Sequence, residues 1–183
     1  MSAEMDRFVR TDSETLAVTA LEEVLRHLRE TENDTHHWLW VLHALKLCLQ
    51  SFIVAGFGSA AMLEAIPPKQ AEQFVNAIRN GGEYPAVRMR GFAELYEYAK
   101  SKHGWTATGK QDEAVEVLAE LRNKIEHFLP GSWSLEVDLA REVAVQTVGI
   151  VEAFALRNRD YPWFDTAAEE RVRSLLTEVE EGL

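Results

Sequence analysis

Apolar and polar positions along this chain repeat with the period of an α-helix. Between residues 16 and 28 the apolar residues recur three or four positions apart, which predicts an amphipathic first helix. The next stretch, HHWLWVLHALKLCLQSFIVAGF, is apolar almost all the way round a helix. Such a pattern is typical of a helix at the centre of a bundle or at a subunit interface. We therefore expect this second helix to be central and to end near Gly56 and Gly58.

The remaining periodic segments also predict helices. The first and last helices are each preceded by the form of a capping box, Thr11-x-x-Glu14 and Thr166-x-x-Glu169. Met89 and Leu139 fall on the apolar stripes of their segments, so we expect them to face inward. The predicted spans are about 87–102, 112–129, 134–157 and 165–181.

Residues 59–86 break the helical pattern. The run IPPK blocks a helix, QAEQFVNAIR permits a short one, and NGGEYP indicates a turn. We read this segment as an irregular connection with one embedded helix. Because no alternating run is long enough for a strand and no repeat is present, residues 1–183 are expected to form one all-α domain. The expected architecture is an up-and-down bundle of about five to six helices with a core over about 12–158.

Composition narrows the classes of function. The chain has 183 residues and a formal net charge of −11, so its overall charge does not attract nucleic acid or an anionic membrane. The single cysteine, Cys48, lies in an apolar run and is expected to be buried. The start MSAEMDRFVR has no apolar signal region, and no run of about 18 clean apolar residues predicts a membrane span. We expect a cytoplasmic protein that does not associate with membranes.

The main chemical candidate is the stretch ELRNKIEHF before a predicted helix end. Asn123 and His127 are four residues apart and share a helix face, and Arg122 lies beside them, so the three polar groups can converge. An arginine followed by a histidine at this spacing is a loose motif, and Arg29 with His36 matches it too.

The longer run LRNKIEHFLPGSWSLE resembles the HEPN superfamily, helical bundles with an Arg-polar-x(3–5)-His signature near the end of a late helix. A bacterial HEPN-like family has a similar run, and an earlier Trp-rich apolar helix with His and Gln like HWLWVLHALKLCLQSF. The resemblance covers about residues 34–157 and is closest at 118–136.

This resemblance implies RNA chemistry. Many HEPN proteins are metal-independent endoribonucleases, often toxins or defence effectors, and in active members the motifs of two subunits face each other. It implies that Arg122, Asn123 and His127 are catalytic. RNA can be cut without metal because its 2′-OH can attack the adjacent phosphate, which requires an acid, a base and a cation for the phosphate. A homodimer supplies two copies of His127. We expect no cofactor, and RNA or a nucleotide as ligand and an antitoxin protein as a further partner.

Other interpretations of the same residues remain open. Arg122 can form a simple surface pair with Glu126, and His127 and Lys124 suit the negative end of a helix dipole. Other HEPN proteins are non-catalytic modules that bind a nucleotide or a protein partner. A purely structural dimer with a vestigial motif is the third alternative.

Three further residues are candidates for substrate binding: Lys124, Trp133 and His43. Trp133 follows the motif directly, and we expect it to pack on the turn after the motif helix. His43 and Gln50 are two helical turns apart on the central helix, where they can bond across the bundle or line the motif cleft. His36, His37 and His43 are close in sequence but lack the further ligands of a metal site, so none is predicted.

Overall fold

The computed structural model describes residues 11–126, 131–158 and 160–183. Within these ranges the chain is all-α: it forms eight α-helices and no strand, which confirms the predicted fold class. A 3₁₀ turn at Gly58–Ala60 follows the second helix, and a π-helical segment at Ala153–Arg157 continues the seventh. The helices are α1 Ser13–Leu28, α2 His37–Gly56, α3 Ala61–Glu64, α4 Pro68–Asn80, α5 Phe92–His103, α6 Gly109–Glu126, α7 Val137–Glu152 and α8 Thr166–Gly182.

Helix α2 is the central element, as its apolar circumference predicts. It packs against α1, α5, α6 and α7, and α1 and α7 in turn contact α8. Leu45, Cys48, Leu49 and Phe52 on α2 are fully buried. Burial of each large apolar side chain stabilises the fold by about 1.5–3 kcal/mol, so α2 organises the core.

Both predicted capping boxes are wrong, because an aspartate one residue away from each threonine caps the helix. Asp12 Oδ1 accepts a hydrogen bond from Thr15 N at 2.7 Å, and Asp165 accepts from the first amides of α8. Glu14 is consequently available for another contact, and its carboxylate accepts from Phe164 N at 3.2 Å. This contact ties the start of α1 to the segment before α8.

The connection between α2 and α5 contains the predicted embedded helix, which is α4, and one short helix that was not predicted, α3; with them the described chain has eight helices instead of about five to six. The prolines initiate a helix here, since Pro67 is the N-cap of α4 and Pro68 is its first residue. Proline suits this position because the first amides of a helix have no intrahelical acceptor. Gly81, with a φ of 63°, ends α4 in the left-handed region.

Three predicted helix starts and two predicted inward residues are also wrong. Helix α6 begins at Gly109 instead of about residue 112. Residues 83–91 are not helical, so α5 begins at Phe92, five residues later than predicted. Met89, 42% exposed, therefore lies outside the helical stripe. Helix α7 begins at Val137 instead of residue 134, and Leu139 is 42% exposed near its start.

Polar contacts fix α6 against α5. Lys100 Nζ lies 2.8 Å from Asp112 Oδ1, and Tyr96 donates its hydroxyl to the same oxygen at 3.0 Å. The hydrogen bond from Lys100 is the largest influence on Asp112 and lowers the pKa of its carboxyl. The first turn of α6 is thereby anchored, which sets the direction in which its later residues point.

Within the described ranges, α2 alone is long and apolar enough to cross a membrane. Its most apolar window has a mean hydropathy of 1.6, and half of that window is buried inside the protein. The core helix of a soluble protein meets the same criterion, so length and composition do not separate these two environments.

Candidate functional site

Arg122, near the end of α6, lines a cavity of about 480 Å³. The cavity lies where α2, α5 and α6 meet the start of α4 and the extended segment that precedes α5. Its described lining includes four cationic side chains and one carboxylate, in a protein whose net charge is −11. The cations are Lys46, Arg88, Arg90 and Arg122, and the carboxylate is that of Glu94. We call this the cationic cavity.

The core helix contributes the innermost cation. Lys46 is only 9% exposed, and its Nζ lies 5.5 Å from the centre of the Phe92 ring. A buried ammonium is costly unless charges, dipoles or an aromatic face compensate for its lost hydration. The Phe92 ring provides part of this compensation for the Lys46 ammonium.

Arg90 is held rigidly in the opposite wall. Its side chain is 9% exposed, its NH1 group donates to Glu94 Oε1 at 2.7 Å, and its Nε donates to the backbone oxygen of Glu64 at 3.2 Å. The guanidinium also stacks 4.3 Å from the centre of the Tyr98 ring. These contacts fix the plane of the guanidinium before any ligand arrives.

Arg88 is placed by its backbone. Gln70 Oε1 on α4 accepts a hydrogen bond from Arg88 N at 2.7 Å, which joins α4 to the extended segment. The Arg88 side chain is exposed, and its guanidinium makes no ion pair within the described part of the chain. The Arg88 guanidinium therefore lies at the cavity rim and stabilises the fold through no ion pair among the described residues.

Asn123 and Lys124 point away from this cavity. Both are exposed, and neither is among the described residues that line it. The Lys124 ammonium lies 5.7 Å from the centre of the Trp133 ring. His127 lies outside the described residues. The side chain of Glu126, the suggested ion-pair partner of Arg122, is also outside them. Among the described residues of the motif, Arg122 therefore lines the cavity, whereas Asn123 and Lys124 lie on the outer surface.

Trp133 lies at the edge of a second depression, of about 500 Å³, between the start of α2 and residues 131–137. Trp133 is 41% exposed, so it is not a core residue. Trp38, Leu39 and Val137 contribute apolar surface to this depression. An aromatic ring held beside a lysine and exposed on one face is a surface suited to a partner or a nucleotide base.

His43, Lys46 and Gln50 follow one another along one face of α2. His43 is half-buried and contacts Trp40 edge-on, with 6.2 Å between ring centres. Gln50 lines the cationic cavity, whereas His43 is not among its described lining residues. The buried atoms His43 Nδ1 and Gln50 Oε1 have no hydrogen-bond partner within the described structure. Buried polar atoms are rarely left unpaired, so this face has capacity to bind a ligand or another chain.

His36 and Cys48 have ordinary structural surroundings. His36 Nδ1 contacts Asp34 Oδ1 at 3.0 Å, and Arg29 pairs with Glu178 at 3.0 Å, so the second Arg-His match consists of two separate surface pairs. No group of three or more potential metal-ligating residues occurs in the described ranges. Burial raises the pKa of the Cys48 thiol, which keeps it protonated and unreactive.

Sequence reasoning named only Arg122 among the four cations as a site residue and missed Lys46, Arg88 and Arg90. The run VRMRG places Arg88 and Arg90 two residues apart. Helical periodicity did not apply to this run, because residues 83–91 form no regular secondary structure. Lys46 was visible as a charge in an apolar helix.

Comparison with known proteins finds no match: no family model, no curated protein and no solved structure is similar to this chain.

Proposed function

We propose that the protein is a metal-independent endoribonuclease of the HEPN type, acting as a toxin or defence effector in the cytoplasm. The observation that supports this proposal most is the position of Arg122 in the cationic cavity. An acidic protein that places three other cationic residues around one arginine of the motif has a local concentration of basic side chains that its net charge does not reveal.

The proposed chemistry requires no metal. The RNA 2′-oxygen attacks the adjacent phosphorus while a base removes its proton, and the bond to the 5′-oxygen of the next nucleotide breaks as an acid protonates that oxygen. His127 acts as the acid or base. Arg122 holds the phosphate through two parallel hydrogen bonds and stabilises the charge that develops on it. Asn123, exposed on the outer surface of the same helix end, orients the RNA strand.

We propose a homodimer because one histidine does not serve readily as acid and base in the same step. A two-fold axis near the end of α6 supplies a second His127 and a second Arg122. The apolar depression beside Trp133 adds surface for such an interface. An antitoxin protein would find the same exposed surface in a free subunit.

The remaining candidate residues have supporting roles in this proposal. Lys124 and Trp133 provide a cation and an aromatic ring 5.7 Å apart, which suits a phosphate and a base of single-stranded RNA. His43 lies one turn before Lys46, so it helps to shape the wall from which Lys46 reaches the cavity.

An RNA cleavage assay with the purified protein tests the proposal. Wild type should cut RNA equally well with and without a chelator. His127→Ala should lower the cleavage rate by roughly 10²–10⁴-fold, the usual contribution of general acid–base catalysis. Arg122→Ala should also lose activity, and Arg122→Lys should restore only part, because an ammonium does not make the two-pronged contact.

The second Arg-His pair provides a matched control. Arg29→Ala removes the arginine of that pair, which lines neither the cationic cavity nor the depression beside Trp133, and should cut like wild type. Equal losses in Arg122→Ala and Arg29→Ala, or no cleavage by wild type at all, would refute the ribonuclease and leave a non-catalytic binding module.

A further inference from the structure

Two histidines meet where the turn between α1 and α2 brings these helices together. The Nδ1 atoms of His27, in the last turn of α1, and His37, the first residue of α2, lie 2.9 Å apart. The His27 side chain is only 15% exposed. A separation of 2.9 Å is that of a hydrogen bond, so one of the two Nδ1 atoms carries a proton and the other accepts it. We call this pair the histidine contact.

The arginine beside His27 determines which nitrogen carries the proton. Arg26 NH2 lies 3.2 Å from His27 Nε2, and Nε2 is the acceptor because a guanidinium only donates hydrogen bonds. A neutral imidazole with an accepting Nε2 has its proton on Nδ1. His27 Nδ1 therefore donates to His37 Nδ1, and the hydrogen bonds run in one direction from Arg26 through His27 to His37.

This series of hydrogen bonds does not accommodate a further proton. A proton on His27 Nε2 would point at the Arg26 guanidinium, and a proton on His37 Nδ1 would point at the N–H of His27. In agreement with this geometry, burial and then the charges of Arg26 and His37 lower the pKa of His27. The Glu23 carboxylate acts in the opposite direction, but it lies 3.8 Å from His27 Nε2 and is already paired with Arg26.

The turn and α2 place one carboxylate and one tryptophan around the histidine contact. In the turn, Asp34 accepts two hydrogen bonds from His36, which affect it more than the charge of His37 does. On α2, the Trp40 ring stacks on His27 with 6.2 Å between ring centres and contacts His43 on the same helix edge-on. The nearby carboxylates are thus engaged by other side chains and offset the repulsion between two imidazolium rings only in part.

We infer that the histidine contact is a pH-sensitive connection that fixes the start of α2 at neutral pH and releases it in mild acid. A histidine whose pKa is lowered by folding contributes stability above its ordinary pKa of 6.5, and this contribution is lost as the pH falls below that value. The neighbours of His37 in sequence, His36 and Trp38, both line the depression beside Trp133. Release of this turn therefore changes the wall of that depression, whether or not the protein cleaves RNA.

Urea unfolding at about pH 7.5 and about pH 5.5 tests the inference with His37→Asn, which keeps an acceptor near the position of Nδ1 but does not titrate. Between these pH values the unfolding equilibrium constant of wild type should rise about three- to tenfold more than that of the variant, the effect of one lost hydrogen bond. His36→Asn changes an exposed neighbour, is the matched control and should follow wild type. Burial also lowers the pKa of His103, but this residue contributes equally to all three proteins.

Hydrogen exchange shows where the release occurs. The backbone amides of Trp38 and Leu39 donate to backbone oxygens three residues earlier, at 3.1 Å each, so an intact turn protects them. After correction for the intrinsic pH dependence of exchange, these two amides should lose protection in mild acid in wild type and keep it in His37→Asn. The amide of Leu49, in the buried part of α2, should stay protected in both proteins.

Nitrogen NMR of the histidine rings tests the same contact in wild type alone, which is decisive if His37→Asn does not fold. At neutral pH the proton of His27 should lie on Nδ1 and that of His37 on Nε2. The opposite tautomer of either ring would overturn the inference. So would an equal pH dependence of stability in wild type and His37→Asn, or an equal loss of protection at Trp38 and Leu49, which would mean that the whole helix opens.

Discussion

Helices α2 and α4 belong to one chain, but they are used in opposite ways. Eleven residues of α2 are buried, including Leu45 and Leu49, whereas α4 has no buried residue. Apolar packing holds the first, and polar contacts such as that of Gln70 with Arg88 hold the second in place. The cationic cavity lies between them, with Lys46 on the rigid wall and Arg88 on the loosely held wall.

This difference shows how the folded protein tolerates several positively charged side chains in one cavity. Like charges repel one another when they are gathered in a folded state, so a wall that carries them has to be anchored elsewhere. Helix α2 is anchored by its eleven buried residues. The second wall is anchored at Arg90, through its contacts with Glu64, Glu94 and Tyr98, while Arg88 remains exposed.

The largest expected difference between the two regions is their sensitivity to lost apolar contacts. Leu49→Ala on α2 should lower the free energy of unfolding by about 2–5 kcal/mol, because the side chain is fully buried and leaves a cavity. Ile78→Ala on α4 should change it by less than about 0.5 kcal/mol, since Ile78 is 54% exposed. Urea unfolding followed by circular dichroism measures both. Similar losses of unfolding free energy in the two variants would mean that Ile78 packs against an apolar surface. The contrast between a buried α2 and an exposed α4 would then be wrong.

A smaller effect is expected at Glu64, which anchors the second wall by polar contacts. Its carboxylate pairs with Lys102 at 2.6 Å and accepts a hydrogen bond from the Tyr98 hydroxyl. Glu64→Gln should lower the free energy of unfolding by about 1 kcal/mol at pH 7, since the pair is charged but partly exposed.

The pH dependence of this variant sharpens the prediction. The hydrogen bonds from Lys102 and Tyr98 lower the pKa of Glu64 from its ordinary value of 4.5. A lowered pKa in the folded state contributes stability above pH 4.5, and this contribution is lost as the pH falls through the folded-state pKa. The difference between wild type and Glu64→Gln in urea unfolding should therefore shrink between pH 7 and pH 3. A difference that stays constant would show that the ion pair contributes nothing.

The helical core could be predicted from sequence because burial follows periodicity. The uniform apolar character of α2 identified the central helix, and the spacing of apolar residues located the helices that pack around it. The positions of the helix ends were harder to predict, because Asp12 and Asp165 compete with the neighbouring threonines for the capping position. The choice depends on the local backbone, which periodicity does not describe.

The cationic cavity could be predicted only in part. The motif identified Arg122, but the cavity combines it with residues 28 to 76 positions earlier in the chain. Arg88 and Arg90 belong to a segment that was expected to be helical and forms no regular secondary structure. Such a site depends on how distant segments fold together, and no local pattern encodes that.

The central claim is that the protein directs an RNA 2′-OH at its neighbouring phosphate, and analysis of the product ends tests it most directly. A short RNA is incubated with wild type in the presence of a chelator, and the ends of the fragments are identified by mass spectrometry. Attack by the 2′-oxygen leaves a 2′,3′-cyclic phosphate on one fragment and a 5′-hydroxyl on the other, and a DNA copy stays intact. We predict that wild type produces these ends and that the His127→Ala variant does not. Fragments with 5′-phosphate and 3′-hydroxyl ends, or no fragments at all with wild type, would contradict this claim.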